Sequence, residues 1–443
     1  MIRKQLTITI YFLTMSLLLS NCIPQQFLGP TRTPTLAVSP TLTLTSMPSP
    51  IPTANPTLAI PSLNAVTRPS SEAMLTNIAS FSSKMHSQYT GDDFVIGFDK
   101  ENTPRVIAVY NEEKNEWVWK DIGLKDLADQ VGLELGVVID AVLFEIAPYL
   151  DILKRDFNLI VLDRWVYWGE FEPYKGEQNF DGLSSELDIA ISLGTDIIVR
   201  GHPLLWYQSV PSWYGNQNKD ELTMIMKEHV SSLVSHYNST ITEWIVVNEP
   251  YREDDIFLNT IGAEYIDIAF QTARDANPSA TLILNDWDNE TSRGIHTQQT
   301  KEIVIRLKSK GLIDGVGLQM HLNGAYPPDK SDLVNTMQSY GVPVYITELD
   351  VDMSNVSGTQ EERFVQQAKI FRGVLEACLT SGVCKSYTMW GIGDKYSWLE
   401  WLLNRPNADG TIYDDNLNPK PAYYALLKVI AQETGATPEH KAP

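Results

Sequence analysis

Cysteine is nearly absent from this chain. Three occur in 443 residues, at Cys22, Cys378 and Cys384, and no two stand as Cys-x-x-Cys. That removes the commonest thiolate zinc and dithiol redox centres. Cations are also scarce, with 34 Lys and Arg against 55 Asp and Glu and a formal net charge of -21. A surface that acidic repels phosphate backbones, so nucleic acid is not an expected partner. There is no glycine-rich phosphate loop and no His-x-x-x-His or similar ligand spacing, which weakens phosphoryl transfer and metal hydrolysis alike. Long apolar runs are confined to Leu6–Leu19, which is short for a membrane span. What is plentiful is aromatic, 11 Trp and 19 Tyr. Rings in that number fill a large core or stack on the flat faces of pyranose sugars, and composition leaves both readings open.

The N-terminus has the order of a secretory signal: Met1-Ile2-Arg3-Lys4, the apolar run, then Leu19-Ser20-Asn21-Cys22. Such a segment is set aside from the fold. Its ending resembles a bacterial lipobox, with Asn21 where a small residue is usual. Residues 1–22 are therefore expected to be a lipoprotein-type signal ending in a lipidated Cys22. Plain secretion is the alternative. Residues 23–70 are rich in Pro, Thr and Ser and have little to bury, so they are expected to form a disordered, extended spacer. The chain would then be exported and held on the outer face of a membrane through its N-terminal lipid alone. Residues 71–121 carry strand-like runs, Phe94–Phe98 and Arg105–Tyr110, with Glu116–Trp119 as a possible third. They are expected to form a small β-rich hairpin without chemistry.

From about residue 122 short apolar runs alternate with amphipathic stretches. The runs are Leu133–Ile139, Leu159–Leu162, Asp196–Val199, Trp244–Val247, Thr281–Leu284, Gly315–Gln319, Val344–Thr347 and Ser386–Trp390. Helical stretches between them include Glu221–Tyr237, Ala263–Ala276, Gln298–Lys310 and Glu361–Thr380. The alternation implies parallel strands with crossover helices, an α/β chain. Eight such units over about 300 residues fit a closed (β/α)8 TIM barrel at 122–432, with a flexible tail at 433–443. An open doubly wound sheet would usually carry a glycine fingerprint after its first strand, and none is present.

Barrel chemistry belongs at the C-terminal ends of the strands. Strand three ends in Arg200-Gly201-His202, four in Asn248-Glu249-Pro250, five in Asn285-Asp286, six in Gln319-Met320-His321, seven in Glu348-Leu349-Asp350 and eight in Trp390-Gly391. One or two polar strand caps would be unremarkable structurally; six in succession point to a site. Strands four and seven face each other, so Glu249 and Glu348 can flank one bond. Breaking a glycosidic bond needs a proton for the leaving oxygen and an anion facing the anomeric carbon, and two carboxyl groups supply both. His321 and Asp350 can hold Glu348 ionised, whereas an acid must keep its proton through burial or a nearby negative charge. A metal hydrolase or a non-catalytic sugar-binding barrel is the competing reading.

At these residues the chain resembles glycoside hydrolase family 10, the endo-β-1,4-xylanases, over roughly residues 122–430. Trp244–Glu249 looks like the family's acid/base signature and Val344–Asp350 like its nucleophile signature. Gly201–Trp206, Gly317–His321, Met389–Trp398 and Asn418–Tyr423 resemble its third, sixth, eighth and closing motifs. The resemblance implies a retaining mechanism on xylan or a related plant β-glycan, with Glu249 as acid/base and Glu348 as nucleophile. It implies that Asn248, His202 and Gln319 hold the sugar being cleaved and that His321 supports Glu348. Trp390 and Trp398 would line the site, and Trp206 would shape its wall or pack in the core. Asn285 and Asp286 resemble a family pair, with Trp287 in place of a Tyr and able to stack on the leaving sugar. No cofactor or metal is implied, and a monomer is expected. The spacing of Cys378 and Cys384 resembles a disulfide found in part of the family.

The chain departs from the family where the sugar on the non-reducing side binds. Asp163, Arg164 and Tyr167 replace Glu, Asn and Lys, and Tyr207 replaces a His. Arg164 is expected to pair with Asp163 and block that site, or else to reach into the groove toward an acidic sugar branch.

Overall fold

The computed structural model describes residues 84–436, apart from 86, 91–93, 112–115 and 216. The expected signal segment, Cys22, the spacer and the end of the tail lie outside the described residues. Four strands come first: β1 (Ser87–Thr90), β2 (Phe94–Phe98), β3 (Pro104–Asn111) and β4 (Glu116–Asp121). They form an antiparallel sheet in that order, larger than the expected hairpin. β1 reads Ser-Gln-Tyr-Thr, with no apolar alternation to reveal it, and is a strand because β2 offers it a free edge. Alternation sorts the two faces of the sheet. Ile96, Phe98 and Ile107 join the main core, while Val95, Val106, Ala108, Trp117 and Trp119 make a small cluster of their own. Lys428 donates to the Glu101 carbonyl at 3.1 Å and Arg105 lies over the Tyr424 ring, which fastens the sheet to the last helix, Pro421–Glu433.

The remaining strands are β5 (Glu134–Val138), β6 (Leu159–Leu162), β7 (Ile198–Gly201), β8 (Leu205–Trp206), β9 (Glu243–Asn248), β10 (Thr281–Asp286), β11 (Gly315–Leu318), β12 (His321–Asn323), β13 (Val344–Asp352) and β14 (Cys384–Met389). Eight of them close a parallel ring: β10 pairs with β9 and β11, and β14 returns to β5. The short β8 and β12 lie against the ends of β9 and β13. Barrel strands are covered on both faces, and β9 is buried along its whole length. Helices cover the outside and start at built caps. Asn218 and Glu221 satisfy each other's backbone N–H groups before Lys219–His236, and Thr359 and Glu362 do so before Gln360–Ser381. The Gln360–Ser381 helix ends at Gly382 with φ +67°, and Cys378 is bonded to Cys384 with Cα atoms 5.1 Å apart.

Arg200 does not join the polar rim that the sequence suggests. It turns to the opposite end of the barrel, where Glu134 and Glu243 open β5 and β9. Its Nε donates to Glu243 at 2.8 Å, its Nη2 reaches Glu134 at 3.4 Å, and Ser386 and Thr388 accept the rest of the fork. The side chain is 1% exposed and plugs the N-terminal end.

Candidate active site

At the C-terminal end of the barrel, backbone bonds carry the ladder past the strands. Glu249 N–H donates to Asn285 O, Gln319 N–H to Asp286 O, and Glu348 N–H to Gln319 O, all at 3.0–3.1 Å. The chain bends sharply there. Glu249, Tyr251, Asp288 and Met320 all take positive φ, an uncommon conformation for residues with a Cβ. Such outliers persist where the surroundings over-determine them.

Glu348 sits among donors. Asn285 Nδ2 donates to its Oε1 at 2.6 Å, and His321 Nε2 donates to its Oε2 at 3.1 Å. The other imidazole nitrogen of His321 donates to Asp350 at 3.0 Å, and Trp398 Nε1 donates to the same Asp350 oxygen at 2.7 Å. Burial alone would discharge His321, but Asp350 and Glu348 on either side hold its pKa up to about 10. His202 Nε2 lies 3.6 Å from Glu348 Oε1, and its burial brings its pKa down to about 4. At neutral pH His321 is therefore the charged histidine of the two. Burial pushes the Glu348 carboxyl up, yet the two histidines and the Asn285 bond outweigh it and leave it below its usual value.

Glu249 goes the other way. Burial raises its carboxyl, the charge of Glu348 adds to the rise, and Arg252 and a bond from Gln319 pull back without cancelling it. Gln319 Nε2 donates to Glu249 at 3.1 Å and to Asn248 Oδ1 at 3.2 Å, and Asn285 Nδ2 donates to Asn248 Oδ1 at 2.8 Å. The two carboxyl groups are thus joined through Asn248, Asn285 and Gln319 and displaced in opposite directions. One is poised to hold a proton and the other to stay an anion, the division that glycosidic cleavage requires.

Asn285, named from the sequence only as one of a family pair, takes a supporting place. It is fully buried, with its amide spent on Glu348 and Asn248 and its carbonyl accepting from Thr347 at 2.7 Å. Gly317 makes room for it, since a Cβ there would fall 2.1 Å from Asn285 Oδ1. Asn285 therefore belongs to the support of Glu348. Trp390 packs edge-on to His202, ring centres 5.1 Å apart, and Trp398 lies 4.9 Å from His321. Trp206 packs 5.7 Å from Tyr167, and its indole N–H helps pull the Glu249 carboxyl back, so its ring belongs to the site's wall. Tyr207 is half-buried, its hydroxyl bonded to Gln208 at 2.6 Å.

The altered residues stand together beyond β6, but not in the pairing anticipated. Asp163 accepts from the Arg164 backbone at 2.5 Å and from the Tyr167 hydroxyl at 3.2 Å. The Arg164 guanidinium is 3.9 Å from Glu170 and lies over the Trp165 ring. Distance and chain direction explain the change: the Asp163 carboxylate folds back on its own turn, while the longer arginine runs out to a carboxylate six residues on. Burial, then the charge of Asp140 against the Arg164 and Tyr167 bonds, raises Asp163 to about 7. Burial likewise raises Glu186 to about 8, with Asp163 and Asp140 adding to it.

Sequence reasoning missed Thr347, Glu186, Arg252 and His296. Thr347 and Arg252 are each within three residues of a catalytic candidate, and that proximity was the available signal. Among the described residues no group of three or more His, Cys, Asp or Glu side chains is arranged to hold a metal ion.

The model of the glycosyl hydrolase family 10 matches residues 123–429. Endo-1,4-beta-xylanase B of Thermotoga neapolitana is 31% identical over 329 residues, covering 71% of this chain and 93% of that protein. Endo-1,4-beta-xylanase 3 of Hypocrea jecorina is 31% identical over 305 residues, covering 67% and 82%. Native xylanase 10B of Thermotoga maritima superimposes with a TM-score of 0.67 at 29% identity, covering 71% of this chain and 99% of that one. Xylanase 10B of Thermotoga petrophila, solved with xylobiose, gives 0.66 at 29% identity, with 71% and 99% covered.

Proposed function

Because the chain belongs to glycosyl hydrolase family 10, a family of enzymes acting on O-glycosyl bonds, we propose that it cuts β-1,4-xylan or a closely related plant β-glycan within the chain by double displacement. Glu249 protonates the leaving oxygen while Glu348 attacks the anomeric carbon, forming a glycosyl-enzyme. Glu249, now ionised, then draws a proton from the water that releases the sugar. The observation that carries this reading is the opposed displacement of the two carboxyl groups across one hydrogen-bonded frame. Asn248, Gln319 and His202 are assigned to the sugar being cleaved, Trp390 and Trp206 to its walls, and Trp287 to the leaving sugar. Xylan is taken from the names of the relatives, and Asp163, Arg164 and Tyr167 bear on which xylan. Export, with a lipid tether at Cys22, is part of the same reading.

The test is a product profile of the purified protein on linear xylan, mixed-linkage glucan and aryl β-xylosides. A ladder of xylo-oligosaccharides from linear xylan is expected. Release of xylose alone from chain ends would replace endo action with exo action, and no release from any of the three would return the chain to a binding role.

A further inference from the structure

Three residues beyond the acid/base candidate stands Arg252, which the reading above uses only for its charge. We infer that Arg252 is a positioning residue for Glu249, clamping the strained turn that carries it to the end of β10 and to Trp287. The inference rests on Glu249 being the acid/base.

The turn Glu249-Pro250-Tyr251 holds two positive-φ residues that are not glycine, Glu249 at +52° and Tyr251 at +64°. Such a backbone returns to an ordinary conformation unless something outside it holds it. Arg252 Nη1 donates to the Pro250 carbonyl at 2.7 Å, the peptide between the two strained residues. Its Nη2 pairs with Asp286, a fully buried residue at the end of β10. The guanidinium plane lies over the Trp287 ring, 5.4 Å from its centre. His296 closes the far side. Its Nδ1–H donates to the Trp287 carbonyl at 2.8 Å, so that nitrogen is not free to accept from Arg252, 3.2 Å away. Arg306 steadies the turn from outside through the Tyr251 hydroxyl at 3.1 Å. A planar, permanently charged fork with several fixed donors is the one side chain that can take a carbonyl, a carboxylate and an aromatic face together.

The arrangement joins two parts of the reaction. The acid/base and the ring assigned to the leaving sugar are held by one cation, so proton donor and leaving group keep a common frame. The titratable and charged groups around Glu249 are Arg252 on its own turn, Asp286 from β10, Glu348 from β13 and Tyr207 after β8. Of these Arg252 is the nearby cation, and it opposes the burial that raises Glu249.

The test is Arg252→Met, followed by kcat and kcat/KM against pH on linear xylan and on an aryl β-xyloside with an activated leaving group. The alkaline limb of kcat/KM, set by loss of the Glu249 proton, is expected to rise by about one unit. Turnover on xylan should fall by about tenfold or more while the activated substrate loses much less, because only the poor leaving group needs a well-placed proton. Arg252→Lys should bring the limb back toward its original position by keeping the charge. If Arg252→Met fails to fold with Asp286 left buried and unpaired, the double change Arg252→Met with Asp286→Asn keeps the pocket neutral, and its loss should still fall on linear xylan far more than on the activated substrate. A folded variant with an unmoved limb and equal losses on both substrates would overturn the clamp. Glu249→Gln separates the two readings. If it lacks the alkaline limb while Arg252→Met leaves the limb in place, only the clamp is wrong. If the limb survives in Glu249→Gln, the acid/base assignment falls and the clamp with it.

Discussion

Each end of the barrel sets two glutamates beside a cation. At the N-terminal end Glu134 and Glu243 hold Arg200, whose fork is filled by both carboxylates, Ser386 and Thr388. At the C-terminal end Glu249 and Glu348 meet across amides, with His321 as the cation. The inventory is nearly the same and the consequence is opposite. Arginine has no proton to give up near neutrality, so the lower set is a fixed plug. At the upper end His321 bonds Glu348 alone, amides donate without neutralising, and the two carboxyls are displaced in opposite directions. Burial and the Glu243 charge raise Glu134 to about 7 as well, so an unequal pair does not by itself make a site. The upper end differs in tying its carboxyls to imidazole and amide donors rather than to one permanent cation.

The largest effects should come from breaking the upper pair. Glu348→Ala is expected to abolish turnover on every substrate, since no covalent intermediate can form. Glu249→Ala should cost about 10²–10⁴-fold on xylan and much less on activated aryl glycosides. Initial rates on the two substrate classes check both, and full activity of either variant on polymer would end the comparison. The lower set should fail differently. Arg200→Met leaves Glu243 buried without its cation and should cost about 3–5 kcal/mol of stability. Chemical denaturation would read the loss, while the pH profile of the folded fraction should stay as it was.

A subtler change sharpens the upper end. His321→Gln removes the charged donor from Glu348, whose carboxyl is otherwise held below its usual 4.5. The acidic limb of kcat/KM marks protonation of Glu348, so it should move to higher pH by about one unit. The same lowered carboxyl stabilises the fold above pH 4.5, and that contribution is lost as pH falls through its lowered value. An unmoved acidic limb would mean that His321 does not hold the anion. The smallest effect concerns specificity. Arg164→Asn with Tyr167→Lys should raise activity on linear xylan a few-fold, and no change would mean that these residues do not touch sugar.

The barrel was legible because each strand is a short apolar run between amphipathic stretches, and parallel strands covered on both faces must read that way. Glu249, Gln319, His321 and Glu348 were legible because each polar residue follows directly on such a run. Arg200 follows one too and was misread. Which end of a barrel a side chain serves depends on its height and facing within the ring, and a polar letter after an apolar run does not carry that. Asn285 was found without a role, because its amide has the same donors whether a sugar or Glu348 accepts them. The space Gly317 leaves for it decides the matter, and that is a fact of packing. Arg252 stayed hidden because its role depends on the positive φ of Glu249 and Tyr251, which nothing in Asn-Glu-Pro-Tyr-Arg announces. The strand β1 was invisible for the converse reason, its pairing being imposed by β2.

The central claim is that Glu348 is a nucleophile working with a partner too close to admit a water between them. Retaining pairs hold their carboxyl groups about 5–5.5 Å apart, and inverting pairs stand farther. Proton NMR of the first products from linear xylan, read before mutarotation, tests this directly. The β-anomer should appear first, with the α-anomer growing in as the sugar equilibrates. An α-anomer formed first would show single displacement by water and would contradict the assignment of Glu348.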